Sequence, residues 1–302
     1  MLAFRSGGVQ RSQFEWYDRT GKELGTVGIP GVYYEPSLAP DEKRIALSAV
    51  NFGNITSDLF MLDLLRGTFT RFTFEPEAEG LSIWSPDGKY IAYSAFPKGG
   101  LYRKLSNGTG KAEMLIKLTT FGVTEDWSLD GRYITYSTID FKTSNIDIWV
   151  LPMKGDRRPF PYLQTKFNES DSQISPDGKW LAYTSDESGR PEIYVQSFPS
   201  PGNKLQISTA GGVTPAWRKD GKELFYVSPD KKIMLVTINA DSTFEPSIPK
   251  VLFQTQITAN IESRNHYVVT ADGQRFLVNT PLKEIATAPI NVVVNWTASL
   301  KK

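Results

Sequence analysis

Bulky and small residues alternate along this chain in short extended runs. After the turn Ser175-Pro176-Asp177-Gly178, residues 179–184 place Leu181 and Tyr183 on one side of a strand and Trp180, Ala182 and Thr184 on the other, the two-residue period of β-structure. The pattern recurs. Large residues stand four positions after an aspartate, at Ile45, Ile91, Ile134, Leu181, Leu224 and Phe276, and again six positions after it, at Leu47, Tyr93, Tyr136, Tyr183, Tyr226 and Val278. Between them lie Ala46, Ala92, Thr135 and Ala182, then Phe225 and Leu277. A sheet with one wet face would alternate apolar with charged residues. Bulk against gap with no charge on either side predicts sheets buried on both faces, as when one blade stacks on the next. No stretch longer than a turn or two has helical periodicity.

The aspartates mark the turns. In the Ser-Pro-Asp-Gly string, proline presets φ for the first corner, aspartate tolerates the second, and glycine supplies the positive φ that closes a short hairpin loop. Asp41, Asp87, Asp130, Asp177, Asp220 and Asp272 occupy six such turns, spaced 46, 43, 47, 43 and 52 residues apart. Blade one has Glu42 in place of the glycine, and blades three, five and six lack the proline, so these turns match less well. Inside a turn each carboxylate can accept backbone N–H bonds, which makes these six aspartates structural rather than catalytic.

A period of this length accommodates four short strands, so the expected fold is an all-β propeller of four-stranded blades. Third strands are expected at 58–64, 101–105, 145–151, 192–197 and 232–238, each followed by a more polar outer strand that blunts the blade edge. The ends depart from the repeat. Residues 14–18 and 23–27 read as third and fourth strands without a first pair, while 266–270, 275–279 and 290–296 read as only three strands. Six turns predict six blades, with ring closure by strands shared between the termini; the alternative is seven, with incomplete terminal blades closing the ring. The expected organisation is one domain over 1–302, with 1–28 as a partial blade or closure strands, 29–264 as five repeats and 265–302 as the last blade.

Composition narrows the function. Thirty-four basic and thirty-three acidic side chains nearly cancel, so nothing favours nucleic acid or direct insertion into a membrane. The longest apolar runs, such as 290–294, are far below a membrane span, and residues 1–10 carry no apolar core of a secretion signal. Cysteine is absent, which removes disulfides, thiolate catalysis and cysteine-ligated metals. There is no Gly-x-Ser-x-Gly elbow, phosphate loop, dinucleotide fingerprint or His-Glu-x-x-His.

The strings SPDGKYIAYS at 85–94 and SPDGKWLAYTSDESGRPEIYV at 175–195 resemble the WD-type propeller repeat of TolB, and of the propeller regions that follow the membrane anchor in some bacterial serine/threonine kinases. The resemblance covers residues 2 to about 296. It implies a bacterial, extracytoplasmic or periplasmic propeller used for binding or sensing. It is specific for the fold and poor at specifying chemistry.

Candidate sites follow from the propeller. First strands line the central channel, so residues at their starts surround one mouth. Six positions before the aspartates stand Glu35, Leu81, Thr124, Asp171, Thr214 and His266, with Glu79, Glu125 and Asp126 close by. A carboxylate ring plus the sole histidine is the candidate ligand site, and a divalent cation there is possible in principle although no compact loop supplies six oxygens in sequence. Trp84, Trp127 and Trp217, three residues before their aspartates, are expected to wedge between blades. The leading expectation is a noncatalytic binding, sensory or scaffold propeller for a protein or small ligand, with no cofactor. The alternatives are a metal-dependent hydrolase or lyase using the mouth carboxylates and His266, and an architectural segment of a larger membrane receptor kinase.

Overall fold

The structure is a computed structural model, and it describes residues 2–5, 11–51, 56–97, 99–239, 244–257, 266–282 and 290–293. Every regular element among them is a β-strand. The Ser-Pro-Asp-Gly turn explains why. In blade four the Ser175 hydroxyl donates to Asp177 Oδ1 at 2.6 Å and accepts from Trp180 N–H at 2.9 Å, while Asp177 Oδ1 also accepts from Lys179 N–H at 3.1 Å. Gly178, at φ 72°, donates its N–H to the Ser175 carbonyl at 2.8 Å. The turn closes on its own polar groups, so the strands on either side must run antiparallel.

The same bonds recur at Ser85/Asp87 and Ser128/Asp130, and threonine replaces serine at Thr270/Asp272. In blade five Arg218 takes over with two bonds to Asp220. Blade one keeps the shape without glycine, because Glu42 itself adopts φ 57° and donates to the Ala39 carbonyl at 2.8 Å. Bonding to their neighbours holds most of these carboxyls low. Asp87 is lowered by the Ser85 hydroxyl, Asp220 by Arg218 and Asp272 by Thr270. Partial burial raises Asp130, but the Arg132 N–H and Ser128 outweigh it.

These turns join the first two strands of six antiparallel sheets. Blade one comprises Tyr33–Leu38, Arg44–Asn51, Thr56–Asp63 and Phe69–Arg71; blade two Ala78–Trp84, Tyr90–Phe96, Leu101–Leu105 and Glu113–Ile116. Blade three comprises Phe121–Trp127, Tyr133–Asp140, Asn145–Pro152 and Phe160–Leu163; blade four Glu169–Ile174, Trp180–Ser185, Glu192–Ser197 and Lys204–Gln206. Blade five comprises Val213–Trp217, Glu223–Val227, Lys232–Asn239 and Lys250–Gln254, with Glu245–Pro246 as an extra pairing on its third strand.

Blade six is built from both ends of the chain. Tyr267–Val269 and Arg275–Pro281 form its inner half, and Ser12–Asp18 and Glu23–Gly31 its outer half. The N-terminal strands are therefore not a seventh blade; they complete the sixth, which sets the ring at six. The expected third C-terminal strand at 290–296 is corrected in the same way. Its place beside Arg275–Pro281 is already taken by Ser12–Asp18, and Ile290–Val293 pairs instead with Leu2–Arg5 in a separate two-stranded sheet. Residues 294–296 lie outside the described ones.

The core is divided among the seams. Six clusters of buried apolar side chains each join two neighbouring blades, and Ile91, Ala92 and Tyr93 on both faces of one strand are at most 2% exposed. At the closing seam Phe14 stacks on Tyr33 at 5.6 Å between centroids, and Tyr33 on Phe69 at 5.1 Å. Gly28, at φ 72°, is required there, since a Cβ would sit 2.7 Å from the Phe69 ring. Polar ties add to this seam and its neighbour. Arg19 grips Glu223 of blade five bidentately at 2.8 and 3.0 Å, and Glu42 accepts from Ala271 N–H of blade six at 2.5 Å.

Two substitutions test this construction by urea denaturation. Phe14→Ala empties a fully buried position at the closing seam and is expected to cost about 3–5 kcal/mol. Ser175→Ala removes one hydroxyl from the blade-four turn and is expected to cost about 1–2 kcal/mol, because Trp180 N–H loses its acceptor.

Candidate functional site at the turn end of the channel

The inner strands are not regular. Their register slips in blades one to five, and Glu35, Leu81, Asp171 and Thr214, each six positions before a turn aspartate, take φ between 52° and 58°. These are β-bulges, whose N–H groups point away from the ladder and need other acceptors. The acids of the channel supply them. Glu35 of blade one accepts from Leu81 N–H of blade two at 3.0 Å and from the Ser48 hydroxyl at 3.2 Å. Glu125 of blade three accepts from Asp171 N–H at 3.1 Å and Ser172 N–H at 2.9 Å of blade four, and from the Ser172 hydroxyl. Asp126 accepts from Ile174 N–H at 2.8 Å, and Asp171 from the Thr184 hydroxyl at 3.2 Å. Thr124 donates its hydroxyl to the Leu81 carbonyl.

The six residues of the expected ring are thus distributed rather than gathered. Glu35, Glu125 and Asp126 brace one blade against the next, while Asp171 bonds within blade four. Glu79, 2% exposed, enters its strand at the end away from the turns and faces the seam with blade one. His266 is 6% exposed, and its carbonyl accepts from Asn279 N–H at 2.8 Å. Among the described residues no three histidine, aspartate or glutamate side chains converge closely enough to hold a metal ion.

The cavity lies at the other end of the channel. A space of about 460 Å³, within the size of small-molecule and side-chain pockets, opens between the six turns. Its rim takes one residue from each blade, the one preceding each turn aspartate: Pro40, Pro86, Leu129, Pro176, Lys219 and Ala271. One layer deeper it is lined by the positions three before each aspartate, among them Trp84, Trp127 and Trp217. Of these six only Lys219 is polar, Leu129 is 48% exposed, and Glu42 of the blade-one turn also lines the mouth. Glu125 and Asp126 are the members of the expected ring that reach this cavity.

The tryptophans do two things. As expected they are wedged between blades, at 6–8% exposure, and Trp84 and Trp217 donate their indole N–H to the Ser37 and Gln173 carbonyls of the preceding blade at 2.9 and 3.1 Å. Their remaining surface faces the cavity, which sequence reasoning missed. The signal was present in the residue before each turn aspartate, apolar in five blades and lysine in one.

Six antiparallel sheets around a channel, closed by strands from both ends of the chain, define a β-propeller. The chain matches the TolB beta propeller domain over residues 84–254, more than half its length, and belongs to that family. Among solved structures it is similar to a TolB of Agrobacterium tumefaciens, with 20% identity, TM-score 0.69, and coverage of 91% of this chain and 100% of that one. A puromycin-hydrolysing peptidase of Mycobacterium tuberculosis gives 14% identity and TM-score 0.60 over 83% of this chain and 44% of that one. An oligogalacturonate lyase in complex with manganese gives 13% identity and TM-score 0.56 over 89% and 78%. At these identities the likeness is one of fold, shared by binding proteins and enzymes. No curated protein sequence matches the chain. No helix among the described residues is long and apolar enough to cross a membrane.

The bracing role of Glu125 is directly testable. Glu125→Ala leaves two buried amides of blade four without their acceptor and is expected to lower stability by about 2–3 kcal/mol in urea denaturation. Glu125→Gln keeps one acceptor oxygen and should cost about half as much.

Proposed function

We propose that this protein is a noncatalytic binding propeller whose turn-end mouth receives an apolar or aromatic segment of a partner protein. The observation that supports the reading is the cavity itself. Six rim residues, five of them apolar, and a tryptophan-bearing layer beneath them offer desolvation and stacking surface. Lys219 supplies a single cation that can orient an anionic group at the edge. Of the carboxylates that a metal-dependent hydrolase or lyase would use, Glu35, Glu125 and Asp126 accept backbone N–H groups of the next blade. Kinship with the TolB propeller and the absence of cysteine support an extracytoplasmic setting, with the partner met there.

A displayed peptide library selected against the purified protein, followed by calorimetric titration of the enriched sequence, tests the site. Leu129→Asp and Lys219→Glu are each expected to weaken binding about tenfold or more, equivalent to about 1.4 kcal/mol. Glu79→Gln, at the far end of the channel, should leave the affinity unchanged. Affinity that survives both rim substitutions would move the binding surface elsewhere.

A further inference from the structure

The seams are not equivalent, and the difference is electrostatic. Eight residues before the turn aspartate, blades two and four carry Glu79 and Glu169, whereas blades three and five carry Gly122 and Gly212. A Cβ at Gly122 would lie 2.1 Å from Leu118, and one at Gly212 2.9 Å from Ile193, so at those seams the position is closed by packing. At the acid-bearing seams each glutamate meets an aspartate of the preceding blade. Asp58 and Asp147 both stand seventeen residues after their turn aspartates, in the third strands of blades one and three. The same pair of acids therefore occurs at the seams between blades one and two and between blades three and four.

Both pairs are short of donors. Glu79 and Glu169 are each 2% exposed and Asp58 is 1% exposed. Asp58 Oδ2, Glu79 Oε2, Asp147 Oδ1 and Glu169 Oε2 are all buried without a hydrogen-bond partner. What surrounds them is mostly acidic or neutral. Around Glu79 stand Asp58, Glu75 and Glu77, the Thr73 hydroxyl and the Tyr93 ring, and Arg71 is engaged by Asp58 Oδ1 at 2.8 Å. Around Glu169 stand Asp147, Asp186, Glu187 and Tyr183. The Thr165 hydroxyl donates to Glu169 at 2.5 Å, Gln164 reaches Asp147 at 3.5 Å, and Lys204 is taken up by Glu187 at 2.7 Å.

A buried glutamate that faces an aspartate across a seam poor in cations cannot ionise beside it without a large desolvation and repulsion cost. We propose that Glu79 and Glu169 are carried as neutral carboxylic acids while their seams are closed, and that losing those protons loosens the ring at two of its six joints. Burial, opposed in part by a threonine hydroxyl and reinforced by neighbouring acids, raises both glutamates to about 7. The sign follows. An acid raised in the folded state stabilises fully below its unfolded value of 4.5, and the contribution is lost as pH rises to about 7. The propeller is thereby built to soften as pH rises from about 4.5 towards 7.

Thermal melting across this range in the wild type, Glu79→Gln, Glu169→Gln and the double variant tests it. The wild-type Tm is expected to fall by a few degrees between pH 4.5 and about 7 and then level off. Each single variant should lose part of that descent and exceed the wild type at about pH 8, and the double variant should lose most of it. Variants that run parallel to the wild type across the whole range would overturn the proposal. Should either variant fail to fold, hydrogen exchange of the wild type decides. The Leu59 amide, bonded to Thr73 beside Glu79 at 3.0 Å, should lose protection between pH 4.5 and about 7, and a protection factor independent of pH would equally overturn it.

Discussion

A blade with two apolar faces has no stable existence by itself, and every blade here depends on having a neighbour on each side. That requirement can be met only by closing the stack into a ring, and closure rests on the ladder between Ser12–Asp18 and Arg275–Pro281. Its seven register pairs join the first described outer strands to a strand more than 250 residues later. The Phe14–Tyr33–Phe69 stack then buries the last seam, and the Arg19–Glu223 and Glu42–Ala271 ties fix neighbouring blades to it. Without this ladder, blade six would expose the edge of its second strand and blade one would lose the surface that covers its inner face.

The fold was legible because its causes are local. A Ser-x-Asp-Gly turn satisfies its own polar groups whatever lies around it, so the spacing of six aspartates carried the blade count directly into the structure, even at Glu42, where glycine is missing. The two-sided burial of each second strand was equally visible in its bulk-and-gap alternation. What could not be read were consequences of packing across blades. The residue six before each aspartate has no common chemistry, being Glu35, Leu81, Asp171 and Thr214 in four of the blades, yet those four share one left-handed backbone conformation. That bulge turns the strand and supplies amides that only another blade can satisfy. Glu35 and Glu125 were singled out by their place along the channel, and their bonds to the next blade were invisible because those partners lie 46 and 47 residues away in sequence. The C-terminal strand at 290–293 was assigned to blade six for the same reason, since the strand that displaces it comes from the other terminus.

The candidate site was half legible. Sequence reasoning named the charged positions of the channel, of which Glu125 and Asp126 line the cavity, and passed over the rim residues that precede the turn aspartates, because charge draws attention and apolar rims do not. The acids hold the channel wall, and the open volume lies where proline, leucine and alanine surround one lysine. The side chains of the six rim residues take no part in the turn bonds, and Lys219 and Ala271 tie neighbouring turns through their backbone groups alone. The tryptophans beneath are less free, because Trp84 and Trp217 also bridge blades through their indole N–H groups.

The turns have one more consequence, for how the protein ages. Five of the six contain Asp-Gly, the dipeptide in which the glycine nitrogen most readily attacks the aspartate side chain to form a succinimide and then isoaspartate. That attack needs the nitrogen to swing toward Cγ. Here each glycine N–H is held at 2.8 Å by a carbonyl three residues back, and each aspartate Oδ1 accepts the N–H of the residue after the glycine. The reacting atoms are pinned apart in the bonds that shape the blade. Backbone isomerisation at these sites is therefore confined to moments when a turn has opened, so their chemical ageing follows local unfolding rather than the calendar of the folded state.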